Sequence, residues 1–141
     1  MSCKSALYAA MQTPTAVTAA EGGAVAVDGV IPLGSLIRRY GCDVALNGNA
    51  VNITGAGYYD VDASITVAPT AAGTVTVTLY KDGVAIPGAT ASETAAANGT
   101  VDLSIPALVR QVCCEAGSAL TLVLTGAAAT VNNVALRVQR I

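Results

Sequence analysis

Four cysteines are the side chains with the widest range of possible chemistry. Cys3, Cys42, Cys113 and Cys114 could bind zinc, pair as disulfides or act as redox groups. Zinc sites usually take cysteines separated by a few residues, whereas adjacent cysteines on a strand point to opposite faces. The spacing therefore disfavours zinc and leaves two alternatives open. The cysteines either pack as small apolar groups, or Cys3 or Cys42 forms a disulfide with one of the adjacent pair.

A second candidate is the pair of carboxylates at Asp60 and Asp62, which share one face of an extended strand. The chain has no histidine, the commonest general acid or base. Alternating polar residues are also expected on the solvent side of any half-buried strand. A weak calcium site using Asp60, Asp62 or Asp82 stays open, although no EF-hand spacing supports it. We therefore predict a protein that is not an enzyme, with no catalytic residues, metal or cofactor.

The charge and composition exclude several classes of partner. The formal net charge is −2, and the basic pair Arg38-Arg39 is not part of a longer basic track, so neither nucleic acid nor an anionic membrane is an expected partner. The N-terminus lacks the apolar segment of a secretory signal, which predicts synthesis in a cytoplasm. Hydrophobic residues make up 53% of the chain and charged residues only 11%, which suggests that partner subunits cover part of the surface.

The elements that position these side chains are predicted to be β-strands, because apolar and polar residues alternate with a period of two. Gly57–Val67 is the clearest run, with Tyr59 on its apolar face and Pro69 ending it. Thr74–Tyr80 repeats the pattern. The turn Asp82-Gly83 then predicts a hairpin whose return strand begins at Val84–Ile86.

Shorter strands are predicted along the rest of the chain, at Ala6–Ala10, Ala24–Val27, Ile31–Ile37, Val44–Leu46, Val51–Thr54, Val101–Ile105, Val109–Cys113, Ala119–Thr125 and Asn133–Gln139. Ala89–Gly99 is predicted to be an exposed loop, since it has little apolar bulk. Leu120–Leu124 is apolar or Thr at every position. Many short strands with turn signals between them favour one antiparallel sandwich or barrel.

Several segments in order carry a resemblance to a known fold family: Ile31–Gly34, Leu46–Asn49, Gly55–Val61, Leu79–Gly88 and Leu136–Val138. They resemble the jelly roll of the tumour-necrosis-factor and complement-globular-head (TNF/C1q-like) superfamily. The nearest versions are bacterial and phage ones, such as the C-terminal domain of the collagen-like spore-surface glycoprotein. The core motif that carries the resemblance consists of Gly57, Tyr59, Asp82 and Gly83. No collagen-like Gly-X-Y repeat and no counterparts of the cytokines' receptor-binding aromatics occur, so receptor signalling is not implied.

Two further segments, Cys3–Tyr8 and Arg38–Cys42, are similar to small structural proteins of phages and prophages of Firmicutes. Together the resemblances imply an all-β, antiparallel jelly-roll sandwich that forms a homotrimer. In such trimers one sheet of each subunit packs around the three-fold axis, which implies that Leu120–Leu124 is buried on both faces. Residues 1–20 are expected to be an N-terminal docking segment, partly strand, and residues 21–141 the jelly-roll domain.

The function that the resemblance implies is that of a structural protein on the virion surface of a tailed phage, either a capsid decoration protein or a head fibre or spike. Its expected partners are its own copies, the capsid or another virion protein, and host surface glycans. The alternative is a structural or adhesion domain of a bacterial cell or spore surface.

Overall fold

The computed structural model describes residues 4–17, 29–112 and 117–141, which form eleven β-strands and no helix. Within these ranges there is accordingly no helix long and apolar enough to cross a membrane. The strands are β1 Ala6–Met11, β2 Thr15–Val17, β3 Ser35–Tyr40, β4 Val44–Asn47, β5 Ala50–Ile53, β6 Gly57–Pro69, β7 Gly73–Lys81, β8 Val84–Ala95, β9 Val101–Gln111, β10 Ser118–Gly126 and β11 Ala129–Arg140.

The strands form two sheets whose inward faces share one hydrophobic core. Sheet A has the order β3-β1-β11-β6-β9, with β2 also pairing with β11, and sheet B has the order β4-β5-β10-β7-β8. Neighbouring strands are antiparallel throughout both sheets. The strand β11 is central to sheet A, since it pairs with β1 on one side and β6 on the other.

The period-two alternation is realised most fully in β6. Its inward positions Tyr59, Val61, Ala63, Ile65 and Val67 have no exposed surface. The strand ends at Pro69, which has no N–H to donate to a ladder. Each fully buried Val, Leu or Ile contributes about 1.5–3 kcal/mol to folding, so a core of small side chains suffices when it is closely packed.

The hairpin between β7 and β8 turns at two residues, Asp82 and Gly83. Their φ angles are 51° and 80°. Positive φ at both positions is the geometry of the two-residue turn that matches the twist of a hairpin, and Asp-Gly supplies it at low steric cost. The turn places Asp82 at one end of sheet B, beside β10.

The expectation that Ala89–Gly99 is an exposed loop is wrong, because β8 continues to Ala95 as the edge strand of sheet B. Large apolar side chains are not what stabilises this part of β8. Hydroxyl pairs link β7 to β8 at successive outward positions, with oxygen–oxygen distances of 2.9, 2.7 and 3.0 Å for Thr74–Thr94, Thr76–Ser92 and Thr78–Thr90. Such cross-strand Thr and Ser pairs stabilise a sheet in the place of hydrophobic contacts.

The strand predicted at Ile31–Ile37 begins only at Ser35. Pro32 cannot donate to a ladder, and Gly34 has a φ of 71° that extended strand does not use. Ile31 and Leu33 are nevertheless buried, and the Ile31 N–H donates to the Leu122 carbonyl at 2.8 Å. The strand predicted at Ala24–Val27 lies outside the described residues.

The two strands predicted at Val101–Ile105 and Val109–Cys113 are one strand, β9, which runs through Pro106. β9 is an edge strand of sheet A, so the missing N–H of a proline can face solvent instead of a partner. The end of the predicted range, Cys113, lies outside the described residues.

In β10 the inward residues Leu122 and Leu124 are buried, and the residue between them on the opposite face, Val123, is also only 4% exposed in the single chain. The strand is the centre of sheet B, and residues 29–31 bond alongside it through Gly29 and Ile31. The flanking outward residues Thr121 and Thr125 are half-buried. Since the chain's own neighbouring segments cover Val123, its burial does not require a second subunit.

Candidate functional site

The exposed apolar side chains of the described residues are concentrated on sheet A. All the large ones except Val84 lie on the strands of sheet A or directly after them, and they are Tyr8, Leu36, Ile37, Tyr40, Tyr58, Leu108, Val112 and Ile141. The outward surface of this sheet is called the sheet-A face below. It comprises Tyr8, Arg38, Tyr40, Tyr58, Asp60, Asp62, Asp102, Leu108, Arg110 and Arg137. Four of the eight, Tyr8, Tyr40, Tyr58 and Leu108, lie on this face, and apolar side chains grouped on one surface are typical of a protein–protein interaction surface.

The register of sheet A brings Arg137 between the two carboxylates that sequence reasoning singled out. The Arg137 Nη2 atom lies 3.3 Å from an Asp60 oxygen and 3.7 Å from an Asp62 oxygen, and all three side chains are about half exposed. Exposed ion pairs of this kind contribute at most about 1 kcal/mol. The two carboxylates are therefore paired with a cation on an open surface, with none of the enclosure that a catalytic pair requires.

The charges on the sheet-A face are balanced in sign. Three arginines (Arg38, Arg110 and Arg137) and three aspartates (Asp60, Asp62 and Asp102) lie on outward positions. Arg38 lies opposite Tyr8, and Asp60 lies opposite Leu108. A face of mixed charge with rings and aliphatic groups between the charges can approach a copy of itself without net repulsion.

A buried polar cluster lies at one end of the sandwich, where Arg140 at the end of β11 meets Asp43 before β4. The Arg140 guanidinium pairs with the Asp43 carboxylate and also donates to the Ala56 carbonyl. The two charged side chains are only 15% and 11% exposed. Beside them, the Tyr59 hydroxyl donates to the Gly55 carbonyl at 2.6 Å. This cluster, made of Ser5, Asp43, Tyr59 and Arg140, joins both sheets.

Ser5 connects the cluster to the two segments that carry the phage resemblance. Its hydroxyl oxygen accepts the backbone N–H groups of Cys42 at 3.1 Å and of Asp43 at 3.0 Å. The segments Cys3–Tyr8 and Arg38–Cys42 therefore meet at this point. Arg39 also donates through Nε to the Val44 carbonyl at 2.5 Å. The Ser5 and Tyr59 side chains are buried and their hydroxyls are used in hydrogen bonds within the protein. The cluster therefore has a structural role and offers no accessible nucleophile.

Of the four cysteines, only Cys42 lies within the described residues. Cys42 takes part in a disulfide bond. Cys3, Cys113 and Cys114 lie outside the described residues, so a pairing of Cys42 with any particular one of them stays a prediction.

The remaining candidate residues lie far apart. Asp82 is on sheet B, whereas Asp60 and Asp62 are on sheet A, so the structure does not bring the three into one calcium site. Among the described residues no group of three acidic, cysteine or histidine side chains could hold a metal ion. Gly57 and Tyr59 lie at the start of β6 beside Arg140, and Asp82 and Gly83 form the turn.

Two members of the polar cluster, Ser5 and Asp43, were not predicted from the sequence. No periodic pattern marks an ion pair between residues 97 positions apart. The feature of the sequence that points to this ion pair is a charged residue, Arg140, at the end of an apolar strand pattern. An arginine on a strand is usually expected at a sheet edge, whereas β11 is central to sheet A and the Arg140 side chain is only 15% exposed.

The Tyr59 phenol predicts a specific pH dependence of stability. Burial raises its pKa above the ordinary value, and the Asp43 carboxylate raises it further, while Arg140 and the Gly55 hydrogen bond lower it in part. The unfolded chain releases this proton above about pH 10 and the folded chain retains it, so the stabilising contribution is complete below about pH 10 and is lost progressively above it.

We therefore expect the free energy of unfolding, measured by urea titration, to fall more steeply above about pH 10 in the wild type than in Tyr59→Phe. Tyr80→Phe, at a tyrosine on sheet B away from both the polar cluster and the sheet-A face, is the matched control and should keep the wild-type slope. Equal slopes for the wild type and Tyr59→Phe would contradict the assignment.

Comparison with known proteins finds similarity in structure only. No protein family matches the chain by sequence, and no curated protein does either. Murine APRIL at pH 5.0 matches with a TM-score of 0.69 and 11% identity, over 96% of this chain and 98% of that one. The globular domain of zebrafish complement 1qA matches with a TM-score of 0.66 and 7% identity, over 98% and 97%. The PRD1 vertex protein P5 matches with a TM-score of 0.62 and 12% identity, over 100% and 99%.

These likenesses establish the fold. The protein is an all-β, antiparallel jelly-roll sandwich of the TNF/C1q-like type, which confirms the fold class predicted from the sequence.

Proposed function

We propose that the protein is a non-enzymatic structural protein that forms a homotrimer through the sheet-A face. The observation that carries this proposal is the concentration of exposed apolar side chains on one sheet, where Leu108 is 58% exposed and Tyr58 49% exposed. Sheet B, by contrast, exposes only Val84 among its large apolar residues in the described ranges.

The fold likeness and this face together support the trimer. The resemblance noted in the sequence implies jelly rolls in which one sheet of each subunit packs around a three-fold axis. Sheet A is the sheet with the apolar and charge-balanced surface that such packing needs. A closed ring also buries the face of every copy and prevents open-ended growth.

We further propose that the trimer is a virion surface protein of a tailed phage, acting as a capsid decoration protein or a head fibre or spike. Two observations support this role. The PRD1 vertex protein P5 matches over the full chain. The segments Cys3–Tyr8 and Arg38–Cys42, which resemble small phage and prophage proteins of Firmicutes, meet through the Ser5 hydrogen bonds.

Docking on the capsid or another virion protein is assigned to residues 1–20. Within that segment β1 and β2 are strands of sheet A, and β1 lies between β3 and β11. Because these strands are part of the sheet and Tyr8 lies on the proposed trimer face, the docking contact would be made by the strand ends of this segment at one end of the sandwich. The alternative role, a structural or adhesion domain of a bacterial cell or spore surface, uses the same trimer on a different carrier.

The test is immunogold labelling of purified phage particles that encode the protein, combined with light scattering of the purified chain. Labels on capsid faces or vertices are the expected result for decoration, and labels at a head fibre fit the spike role. Unlabelled particles, with label on the bacterial envelope or spore instead, would contradict the virion role and favour the alternative. A monomer in solution would contradict the trimer.

A further inference from the structure

Two adjoining hollows flank Asp82 at the end of sheet B. One has a volume of about 240 Å³ and is lined by Asn52, Thr54, Asp82, Gly117, Ser118 and Ala119. The other, of about 260 Å³, is lined by Val30, Tyr80, Asp82, Gly83, Ala119, Thr121 and Val123. Since Asp82 and Ala119 line both, the hollows form one groove, which is called the Asp82 groove below.

The carboxylate in the middle of this groove is held in a fixed orientation. An Asp82 side-chain oxygen accepts the Ala119 N–H at 2.9 Å, and the Asp82 N–H donates to the Ala119 carbonyl at 2.9 Å. The two-residue turn fixes the backbone of Asp82 as well. A carboxylate has about four acceptor positions on two oxygens, so one protein hydrogen bond leaves acceptor capacity for a ligand. Asp82 is exposed to solvent.

The other lining groups are neutral and suit a polyhydroxylated molecule. Tyr80 offers a half-buried ring, Asn52 an amide that can donate and accept, and Thr54 and Thr121 hydroxyls. Asp82 is the one charged side chain among the lining residues, so an anion would be repelled, and the remaining lining groups are hydrogen-bonding or apolar groups without charge. A sugar meets these requirements, because its hydroxyls donate to a carboxylate and its C–H face packs on a ring.

We propose that the Asp82 groove binds neutral glycans, with a hexose packed on Tyr80 and two of its hydroxyls donating to Asp82. This rests on the proposed function in one respect, since it assigns the contact with host-surface glycans to these residues. The groove is open to solvent and its central carboxylate is exposed, so each copy should bind weakly.

The groove lies on the sheet opposite to the sheet-A face, so trimer formation leaves it open. Three copies per trimer, and many trimers per particle, would convert weak single-site binding into strong attachment to a glycan-covered surface. A row of paired hydroxyls on the outward side of β7 and β8 begins at Thr78, two residues from Tyr80. This row extends the uncharged surface that starts in the groove.

The experiment titrates the isotope-labelled full chain with lactose, cellobiose and N,N′-diacetylchitobiose, each to about 10 mM, and follows the amide resonances by NMR. The expected result is that at least one disaccharide shifts the resonances of Tyr80, Asp82 and Ala119, with a dissociation constant of about 1 mM. Asp82→Asn keeps the acceptor for the Ala119 N–H and should weaken binding about tenfold.

Glu93→Gln is the matched control, because it removes one carboxylate from an exposed position of the same sheet outside the groove. It should bind as the wild type does. Absence of shifts with all three disaccharides, shifts confined to another surface, or equal weakening by both substitutions would each overturn the glycan site. Light scattering on the same samples separates this result from the proposed function, since a trimer that binds no disaccharide refutes only the groove, and a monomer that binds refutes only the trimer.

Discussion

Replacing Arg140 with methionine is expected to lower the free energy of unfolding by about 3 kcal/mol. The substitution keeps most of the aliphatic volume and removes the guanidinium. It leaves the Asp43 carboxylate, only 11% exposed, without its cationic partner, and it leaves the Ala56 carbonyl without a donor. Removing one partner of a buried ion pair costs this much because the other charge stays desolvated. Urea unfolding of the purified chain measures the loss.

Arg137→Met provides the matched control on the same strand. Arg137 pairs with Asp60 and Asp62, but its side chain is 50% exposed in the single chain, so in a monomeric background such as Leu108→Glu its loss should cost less than about 1 kcal/mol. The double variant Arg140→Met with Asp43→Asn should recover part of the loss, since the uncompensated charge is removed. If Arg140→Met cost no more than Arg137→Met, the cluster would not stabilise the end of the sandwich.

Replacing Leu108 with glutamate is expected to convert the proposed trimer to a monomer. Leu108 is 58% exposed on β9 and lies directly opposite Asp60. A carboxylate there would have to be desolvated in the interface beside an existing negative charge, which would disfavour assembly by several kcal/mol. Light scattering reports the mass, and unfolding experiments confirm that the subunit still folds.

Val84→Glu is the control for that experiment, since Val84 is 68% exposed on sheet B. It introduces the same change in charge and hydrophobicity away from the sheet-A face and should leave the trimer intact. Dissociation by Val84→Glu with Leu108→Glu still trimeric would place the interface on sheet B. An unchanged oligomer in both variants would exclude an interface that buries either Leu108 on the edge strand β9 or Val84 on the edge strand β8.

The parts of the fold that could be predicted from the sequence are those that local patterns determine. The period-two alternation in Gly57–Val67 predicts both the strand and its buried face with Tyr59, because a pleated strand half buried in a sandwich requires that pattern. The Asp-Gly turn predicts the β7–β8 hairpin for a similar local reason. Both features depend only on residues close together in the chain.

The parts that could not be predicted depend on contacts between distant segments. β8 beyond Ala89 looks like a loop, since its hydroxyls stabilise it only when Thr74, Thr76 and Thr78 lie opposite. Pro106 divides the pattern of β9 and is tolerated because β9 is an edge strand, a position that only the assembled sheet reveals. The Asp43–Arg140 pair likewise requires the complete sandwich.

The central position of β11 in sheet A has a consequence for how the chain folds. β1 pairs with β3 on one side, but its other partner is residues 134–139, and β6 has the same strand as a neighbour. During synthesis β1 and β6 leave the ribosome long before β11. Until β11 follows, the edge of each strand that pairs with β11 has no partner. Pairings between distant segments close slowly, because the loop entropy is lost before the contacts form. We therefore infer that sheet A completes only after β11 has left the ribosome, and that until then its open edges are the chain's main risk of misassociation.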